Sequence, residues 1–383
     1  MERPVIININ PYNDKDDEMF RRDNFSMKRM VSCLAAACLM GAATAASAQS
    51  SVTLYGIVDA SLLYTSHTMN METGQNAGHQ FSFTDSGMTG SSFGMRGTED
   101  LGGGLRAMFA LESGISMANG QFNNSNGNLF GRQAWVGMES PYGTVKAGLQ
   151  YSPFFLSLYQ TDPRGMSYFG SGLVSYVNNV FVTGLFNSNS LTYTSPEIAG
   201  VQAAGMFAMG GAAGDFQAGR QYSASLRYHI AGFTLTGALY SGNAGGSAAS
   251  TPVPSTVEFV GRTLGASYRF PNSLTISASY ALYKVSQSFD NSVYSGGLSY
   301  MILPYLDVDA GVWYTRDGND SNNHSIMAAS GVQFFLSKRT TLYGQFGYVY
   351  NHGRMDTGLS INNALFEVAG STVGASIGLR HIF

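Results

Sequence analysis

The sequence predicts an all-β protein, a sixteen-stranded antiparallel β-barrel that spans a membrane. Three observations indicate this fold: few charged residues, apolar residues that alternate with small or polar ones, and connections of two very different lengths. Charged residues make up 12% of the 383 residues, about half the share of about 25% that is usual in soluble domains. The body of the chain has no run of about 20 apolar residues, the length that a membrane-spanning helix needs.

The N-terminal part of the chain has the pattern of a secretory signal peptide. Met27 is followed by the basic residues Lys28 and Arg29 and then by an apolar stretch. This stretch ends in the A-x-A pattern Ala46-Ser47-Ala48. This combination is typical of segments that are cleaved on export. We therefore predict a signal peptide over residues 27–48, with cleavage between Ala48 and Gln49.

The signal peptide divides the chain into three parts. Residues 1–26 are polar and mixed in charge, and we interpret them as a wrongly assigned start or a dispensable extension. Residues 49–383 form the predicted barrel domain. Both cysteines, Cys33 and Cys38, lie inside the signal peptide, so the mature chain is predicted to contain no disulfide and no cysteine-based metal site.

The barrel domain alternates with period 2 from its first strand onward. In SVTLYGIVDASLLY, Leu54 and Leu62 share one face, while Tyr55, Asp59 and Ser61 share the other. The polar faces carry Ser, Thr, Gly and single charges rather than the dense Lys and Glu of a solvent-exposed sheet. A membrane barrel has this arrangement, with apolar residues toward lipid and polar residues toward the lumen.

The strand count predicts an open lumen. Sixteen strands are expected to start near residues 52, 91, 105, 132, 144, 190, 201, 221, 233, 262, 274, 292, 306, 325, 341 and 372. Short connections alternate with long ones, as in barrels with short periplasmic turns and long external loops. Eight strands make a barrel that side chains fill, whereas sixteen leave an aqueous channel. The net charge of −3 and the lack of basic clusters argue against nucleic acid as a partner.

Five segments resemble the trimeric general diffusion porins of Gram-negative bacteria, and those of beta-proteobacteria above all. They are SVTLYGIVDASLLY, MRGTEDLGGGLRAMFALESGIS, GRQAWVGMESPYGTVKAGLQYSPF, NSLTYTSPEIAGVQ and VGASIGLRHIF. The resemblance implies a homotrimer in the outer membrane, in contact with lipid and lipopolysaccharide. Each protomer would hold a water-filled channel for ions and small hydrophilic solutes. It also implies that outer-membrane assembly machinery reads the terminal Phe383.

The same resemblance implies an inward-folded third loop that narrows the channel. Basic residues on the barrel wall would face acidic residues on that loop. The matching segment follows Gln150 and runs for nearly forty residues without a predicted strand; its only charges are Asp162 and Arg164. We expect both near the constriction. The alternative is that they pair with each other on the loop surface.

Candidate residues of the channel wall follow from the family pattern and from strand parity. Arg132 matches a family position that usually supplies a basic residue at the constriction. Weaker candidates with lumenal parity are Arg96, Arg106 and Lys146. Glu112 is a further candidate for the lining; alternatively, Arg96 and Arg106 pair with Glu99, Asp100 or Glu112 near a turn.

The chain departs from the family pattern at three other positions. Ser92, Leu149 and Phe186 or a neighbour stand where family members often carry a basic residue. Because rings of fixed charge set the ion preference of a pore, we predict weak ion selectivity.

Three other classes of protein were compared with this interpretation. An outer-membrane enzyme would group its histidines with carboxylates, but the six histidines are scattered, so we expect no catalytic residues, cofactor or metal. A sugar-selective channel would need an aromatic slide, for which the third loop offers Tyr151, Phe154, Phe155, Tyr159, Tyr168 and Phe169. A soluble β-sandwich or adhesin would be soluble without detergent.

Overall fold

A computed structural model describes residues 51–180, 183–246 and 258–383. The predicted signal peptide and its cleavage site, Ala48 and Gln49, lie outside these residues. The described strands are β1 Ser51–Thr65, β2 Gln80–Asp85, β3 Ser92–Gly102, β4 Leu105–Gly114, β5 Gln133–Ser140, β6 Gly143–Tyr151, β7 Phe186–Thr194, β8 Val201–Ala208, β9 Gln221–Ile230, β10 Phe233–Gly242, β11 Phe259–Arg269, β12 Leu274–Val285, β13 Asp290–Leu303, β14 Leu306–Asp317, β15 His324–Phe335, β16 Thr340–His352, β17 Thr357–Ser360, β18 Ala364–Phe366 and β19 Gly370–Ile382. Two helices, α1 Pro153–Thr161 and α2 Gly172–Val180, lie between β6 and β7.

The strands close into the predicted antiparallel barrel of sixteen positions. Strands β3 to β16 pair in chain order, and β19 joins β16 to β1. All sixteen predicted starts lie within four residues of the observed ones. None of the described helices is long and apolar enough to cross a membrane.

One barrel position is filled by two strand segments, which the sequence analysis missed. Strand β3 pairs with the first half of β1, from Ser51 to Ile57, and β2 pairs with the second half, from Ala60 to Thr65. The predicted strand starts near residues 52 and 91 leave residues 80–85 in the connection between them, but in the structure these residues continue the line of β3. The alternation of β2 is too short to stand out beside its Gly- and Asn-rich neighbours.

The chain turns into the lumen between β2 and β3, over residues 86–91, here called the strand break. The buried carboxylate of Asp59 accepts backbone N–H bonds from Gly87, Met88 and Thr89 at 3.2, 3.1 and 2.7 Å. Tyr343 donates a 2.5 Å hydrogen bond to the same carboxylate from β16. A buried carboxylate needs such donors, and here they hold the strand break against the wall.

The period-2 pattern separates the two faces of the barrel as predicted. Leu62 and Val312 point outward and are 62% and 48% exposed, while Asp59 and Trp313 point inward and are 0% and 1% exposed. Apolar residues therefore face lipid. Inward positions are polar except where, like Trp313, they belong to the buried cluster around the third loop.

The last strand closes the barrel at the C-terminus. Residues Ile57 to Thr65 of β1 pair with Ile382 to Gly374 of β19. Beyond them, the backbones of Gly56 and Phe383 exchange hydrogen bonds of 3.1 and 3.0 Å. A β-carbon on Gly56 would lie 2.3 Å from the ring of Phe383, so this residue must be glycine for the terminal ring to pack.

The third loop, described over residues 152–180 and 183–185, folds into the lumen and carries the helices. Ser152 caps α1, because its hydroxyl accepts the N–H of Phe155 at 3.1 Å and Pro153 takes the first helical position. We expected this segment to lack regular structure, and that expectation was wrong. Its apolar side chains form the main buried cluster with inward residues of the wall, among them Phe154, Tyr176, Tyr240 and Tyr283.

Candidate functional site

A cavity of about 210 Å³ lies in the lumen between the third loop and the barrel wall. The third loop lines one side, and inward residues of β14, β19 and the strand break line the other. Charged residues at this cavity are Arg132, Arg164, Asp307, Asp309 and Arg380. They include two of the predicted constriction residues.

Arg164 joins the third loop to the wall. Its Nε forms an ion pair with Asp309 of β14, and both side chains are buried. Its terminal nitrogens donate to the carbonyls of Phe169 and Gly170 at 2.7 and 2.9 Å and to the Oε1 of Gln345 at 2.8 Å. The guanidinium therefore fixes the loop to two strands and to its own backbone.

Arg132 lies directly before β5 and is paired within the wall. Its Nε lies 2.6 Å from the Oε1 of Glu112, and both side chains are about 6% exposed. Its terminal nitrogens contact the hydroxyls of Tyr151 and Tyr168 at 3.3 and 3.4 Å. Phe186, which stands at an expected basic position, stacks 5.8 Å from the guanidinium.

The charges at the cavity differ from the arrangement that the resemblance implies for a constriction. The loop contributes the cation, Arg164, and the wall contributes the acid, Asp309. The second pair, Arg132 and Glu112, lies entirely on the wall. Within each pair the two opposite charges are in direct contact, so each pair exerts little net field on the lumen.

Asp162 stabilises the third loop from within. Its carboxylate accepts backbone N–H bonds from Arg164, Met166 and Gly172 at 3.0, 2.9 and 2.8 Å. It thereby joins the end of α1 to the start of α2, and it is not part of the cavity lining. The alternative of a surface pair with Arg164 is wrong, because the Arg164 guanidinium reaches Asp309 instead.

The weaker candidates lie away from the cavity. The guanidinium of Arg96 lies 5.5 Å from the Tyr55 ring, and the ammonium of Lys146 lies 4.1 Å from the Trp135 ring. Arg106 is exposed near the short turns. In the described part of the chain, Arg96 and Arg106 make no salt bridge with Glu99, Asp100 or Glu112.

Three residues of the cavity were not among the predicted site residues. In the period-2 pattern, Asp307 and Asp309 fall on the polar face of β14, and Arg380 falls on the polar face of β19. Parity alone could thus have identified them as lumenal. Strand parity predicts that a residue points inward, but it does not predict which inward residues contact the third loop.

Comparison with known proteins decides the family. The sequence model described as Gram-negative porin matches residues 35–354. The chain belongs to the Gram-negative porin family. An outer membrane porin of Bordetella pertussis is 30% identical over 91% of this chain and 99% of its own length. Outer membrane porin protein 32 of Delftia acidovorans is 28% identical over 92% of this chain and its full length.

Solved structures of outer-membrane proteins share the barrel. The anion-selective porin from Comamonas acidovorans superimposes with a TM-score of 0.73 at 25% identity, covering 88% of this chain and all of its own. OmpT of Vibrio cholerae, solved in a trimer form, gives 0.62 at 13% identity, covering 87% of this chain and 99% of its own. This porin is a β-barrel of the Gram-negative outer membrane, and its family and fold point to a channel rather than an enzyme.

The described residues of the porin contain no group of three or more His, Cys, Asp or Glu that could hold a metal ion.

Proposed function

We propose that this general diffusion porin acts as a homotrimer, passes ions and small hydrophilic solutes passively, and selects weakly between anions and cations. The observation that supports weak selectivity is the pairing of Arg132 with Glu112 and of Arg164 with Asp309. Contact pairs of opposite charge contribute little net field. The two other charged residues that line the cavity, Asp307 and Arg380, have opposite signs. The homotrimer rests on family membership.

The aromatic residues of the third loop do not favour the sugar-selective alternative. Phe154 and Phe169 are almost fully buried, at 0% and 1% exposure. They pack among other side chains of the buried cluster, so a passing sugar could not stack on them. Tyr151, Phe155, Tyr159 and Tyr168 do border the cavity. Tyr151 and Phe155 are each only 8% exposed, so they offer little ring surface to a passing sugar.

Planar-bilayer recording tests this function. Protein extracted from outer membranes is inserted into a bilayer under a salt gradient. We expect large conductance steps that close in threes and a reversal potential near zero. A tenfold preference for anions or cations would overturn weak selectivity, and closure in single steps would overturn the trimer.

The targeting features also enter as proposals. We propose that the signal peptide of residues 27–48 is cleaved before Gln49 and that residues 1–26 are dispensable, which intact mass spectrometry of the mature protein tests.

We further propose that assembly machinery recognises Phe383, and that the external rim contacts lipopolysaccharide. Deletion of Phe383 should lower the amount of heat-stable trimer in outer membranes without changing the amount of secreted chain.

A further inference from the structure

The lumen cavity has one side that is unusual for a water-filled channel. The third loop contributes Leu156, Met166 and Leu173, and the facing wall contributes Ile57 and Ile382. Lumens of open porins are typically polar, whereas sites for small organic molecules are mostly apolar with a few placed polar groups. The cavity has the second composition.

Arg380 supplies the polar end of this cavity. It points inward from β19, is half-buried, and lines the cavity together with Thr89 of the strand break. One terminal nitrogen contacts the hydroxyl of Thr89 at 3.2 Å, and the other contacts Thr341 at 3.4 Å. Its Nε is buried without an acceptor. Within the described chain, Arg380 forms no salt bridge, unlike Arg132 and Arg164.

The acids near the cavity do not neutralise Arg380 directly. Asp59 is the cross-strand neighbour of Arg380. Its carboxylate is fully buried and accepts four hydrogen bonds, and in the described chain it makes no salt bridge with the guanidinium. Asp309 is engaged by Arg164. Asp307 lies on β14, which β15 and β16 separate from β19; three strand spacings correspond to roughly 14 Å along the wall. An anion at Arg380 therefore meets a guanidinium and a hydroxyl rather than a carboxylate.

We propose that this cavity binds small organic monocarboxylates with an apolar ring, held by Arg380 at the carboxylate and by the apolar wall at the ring. This inference rests on the proposed function, because it names a solute class that pauses in an otherwise passive channel. A volume of about 210 Å³ equals about seven water molecules at about 30 Å³ each, which is room for a six-membered ring bearing a carboxylate.

The chemistry of the cavity separates this class from its neighbours. A sugar would bring several hydroxyl groups against Leu156, Met166 and Leu173, where they would lose water without gaining partners. Acetate would satisfy Arg380 but leave the apolar wall uncovered. A neutral ring compound would cover the wall but leave the guanidinium without an anion. Only a compound with both features uses both ends of the site.

Current block in planar bilayers tests the proposal. Benzoate and cyclohexanecarboxylate are compared with acetate, benzyl alcohol and glucose at constant ionic strength. We expect both ring carboxylates to reduce the single-channel current in a saturable way, with half-block at concentrations at least tenfold below that of acetate. Benzyl alcohol and glucose should not block.

Variants locate the site. Arg380→Gln should raise the half-blocking benzoate concentration at least tenfold, and Arg380→Lys should restore part of the loss. Arg106→Gln is the matched control, because it removes an exposed lumenal arginine outside the cavity, and its block should equal that of the wild type.

The outcomes separate this inference from the proposed function. Large open-channel conductance without benzoate block, or block that Arg380→Gln leaves unchanged, overturns the site and leaves the porin function intact. Absence of conductance in plain salt overturns the porin function itself. Block by glucose in place of benzoate overturns the solute class.

Discussion

Replacing Arg164 by Met should loosen the third loop from the barrel wall. The change removes the partner of Asp309, whose side chain is 7% exposed, and leaves the Nε2 of Gln333 at 3.3 Å as its remaining donor. It also removes the donor to two loop carbonyls, those of Phe169 and Gly170. Every one of these losses favours opening of the loop, because water can then solvate the groups.

The magnitude follows from the burial of the pair. Removing one member of a buried ion pair typically costs about 3–5 kcal/mol. At about 1.4 kcal/mol per tenfold change, this raises the population of the open loop roughly 140- to 4000-fold. The double variant Arg164→Met, Asp309→Asn should recover much of this cost, since it leaves no unpaired charge.

Hydrogen exchange of the backbone amides of α1 and α2, read by mass spectrometry in detergent micelles, measures this opening. Arg227→Met is the control: its pair with Glu197 at 2.8 Å has side-chain exposures of 19% and 43%, and exposed pairs contribute about 0–1 kcal/mol. Exchange in Arg164→Met within threefold of the wild type would refute the argument that this pair anchors the loop.

Three further predictions concern charge, pH and packing. Arg132→Gln leaves Glu112 unpaired and should raise the cation-to-anion permeability ratio roughly threefold or more, measured as a reversal potential. Burial raises the pKa of Glu367, between β18 and β19, to about 8; its folded form binds a proton that its unfolded form has lost above about 4.5. Stability should therefore fall as pH rises from about 4.5 to about 8, measured by urea unfolding in micelles. Gly261→Ala places a β-carbon 2.6 Å from the Phe154 ring and should cost about 1–3 kcal/mol in the same unfolding assay.

Each of these predictions has a control and a contradicting result. The double variant Arg132→Gln, Glu112→Gln should keep the wild-type permeability ratio. If the single and the double variant shift the ratio equally, the charges of Arg132 and Glu112 do not cancel in the wild type. Glu367→Gln should flatten the dependence of unfolding stability on pH. If the slope is unchanged in this variant, other groups cause the pH dependence. Gly205→Ala adds a β-carbon with nothing within 4 Å, so a loss as large as that of Gly261→Ala would exclude steric contact as the cause.

Much of the barrel could be predicted because its pattern is local. A strand in a membrane barrel must place apolar residues toward lipid and polar ones toward the lumen at every second position. The inward parity of Asp59, Asp309 and Arg380 was therefore readable from neighbouring residues. Strand β2 was missed because only six residues carry its pattern. The strand break that follows depends on its own backbone N–H groups, which donate to the carboxylate of Asp59, 28 to 30 residues earlier in the chain.

Only some of the residues at the cavity could be predicted from the sequence. The resemblance predicted that the third loop folds inward. Two of the predicted residues, Arg132 and Arg164, line the lumen cavity. Asp162 could not be distinguished from a lining acid, because its role depends on three backbone N–H groups that point inward only when α1 and α2 are in place.

By itself, the sequence determined the barrel, its strand number and the side of the wall on which each strand residue lies, because these depend on a period that repeats within a few residues. The tertiary structure alone decided which charges meet. Arg164 and Asp309 are 145 residues apart in the chain. They come into contact only because the third loop folds inward and the barrel closes around it, and no local pattern records that contact.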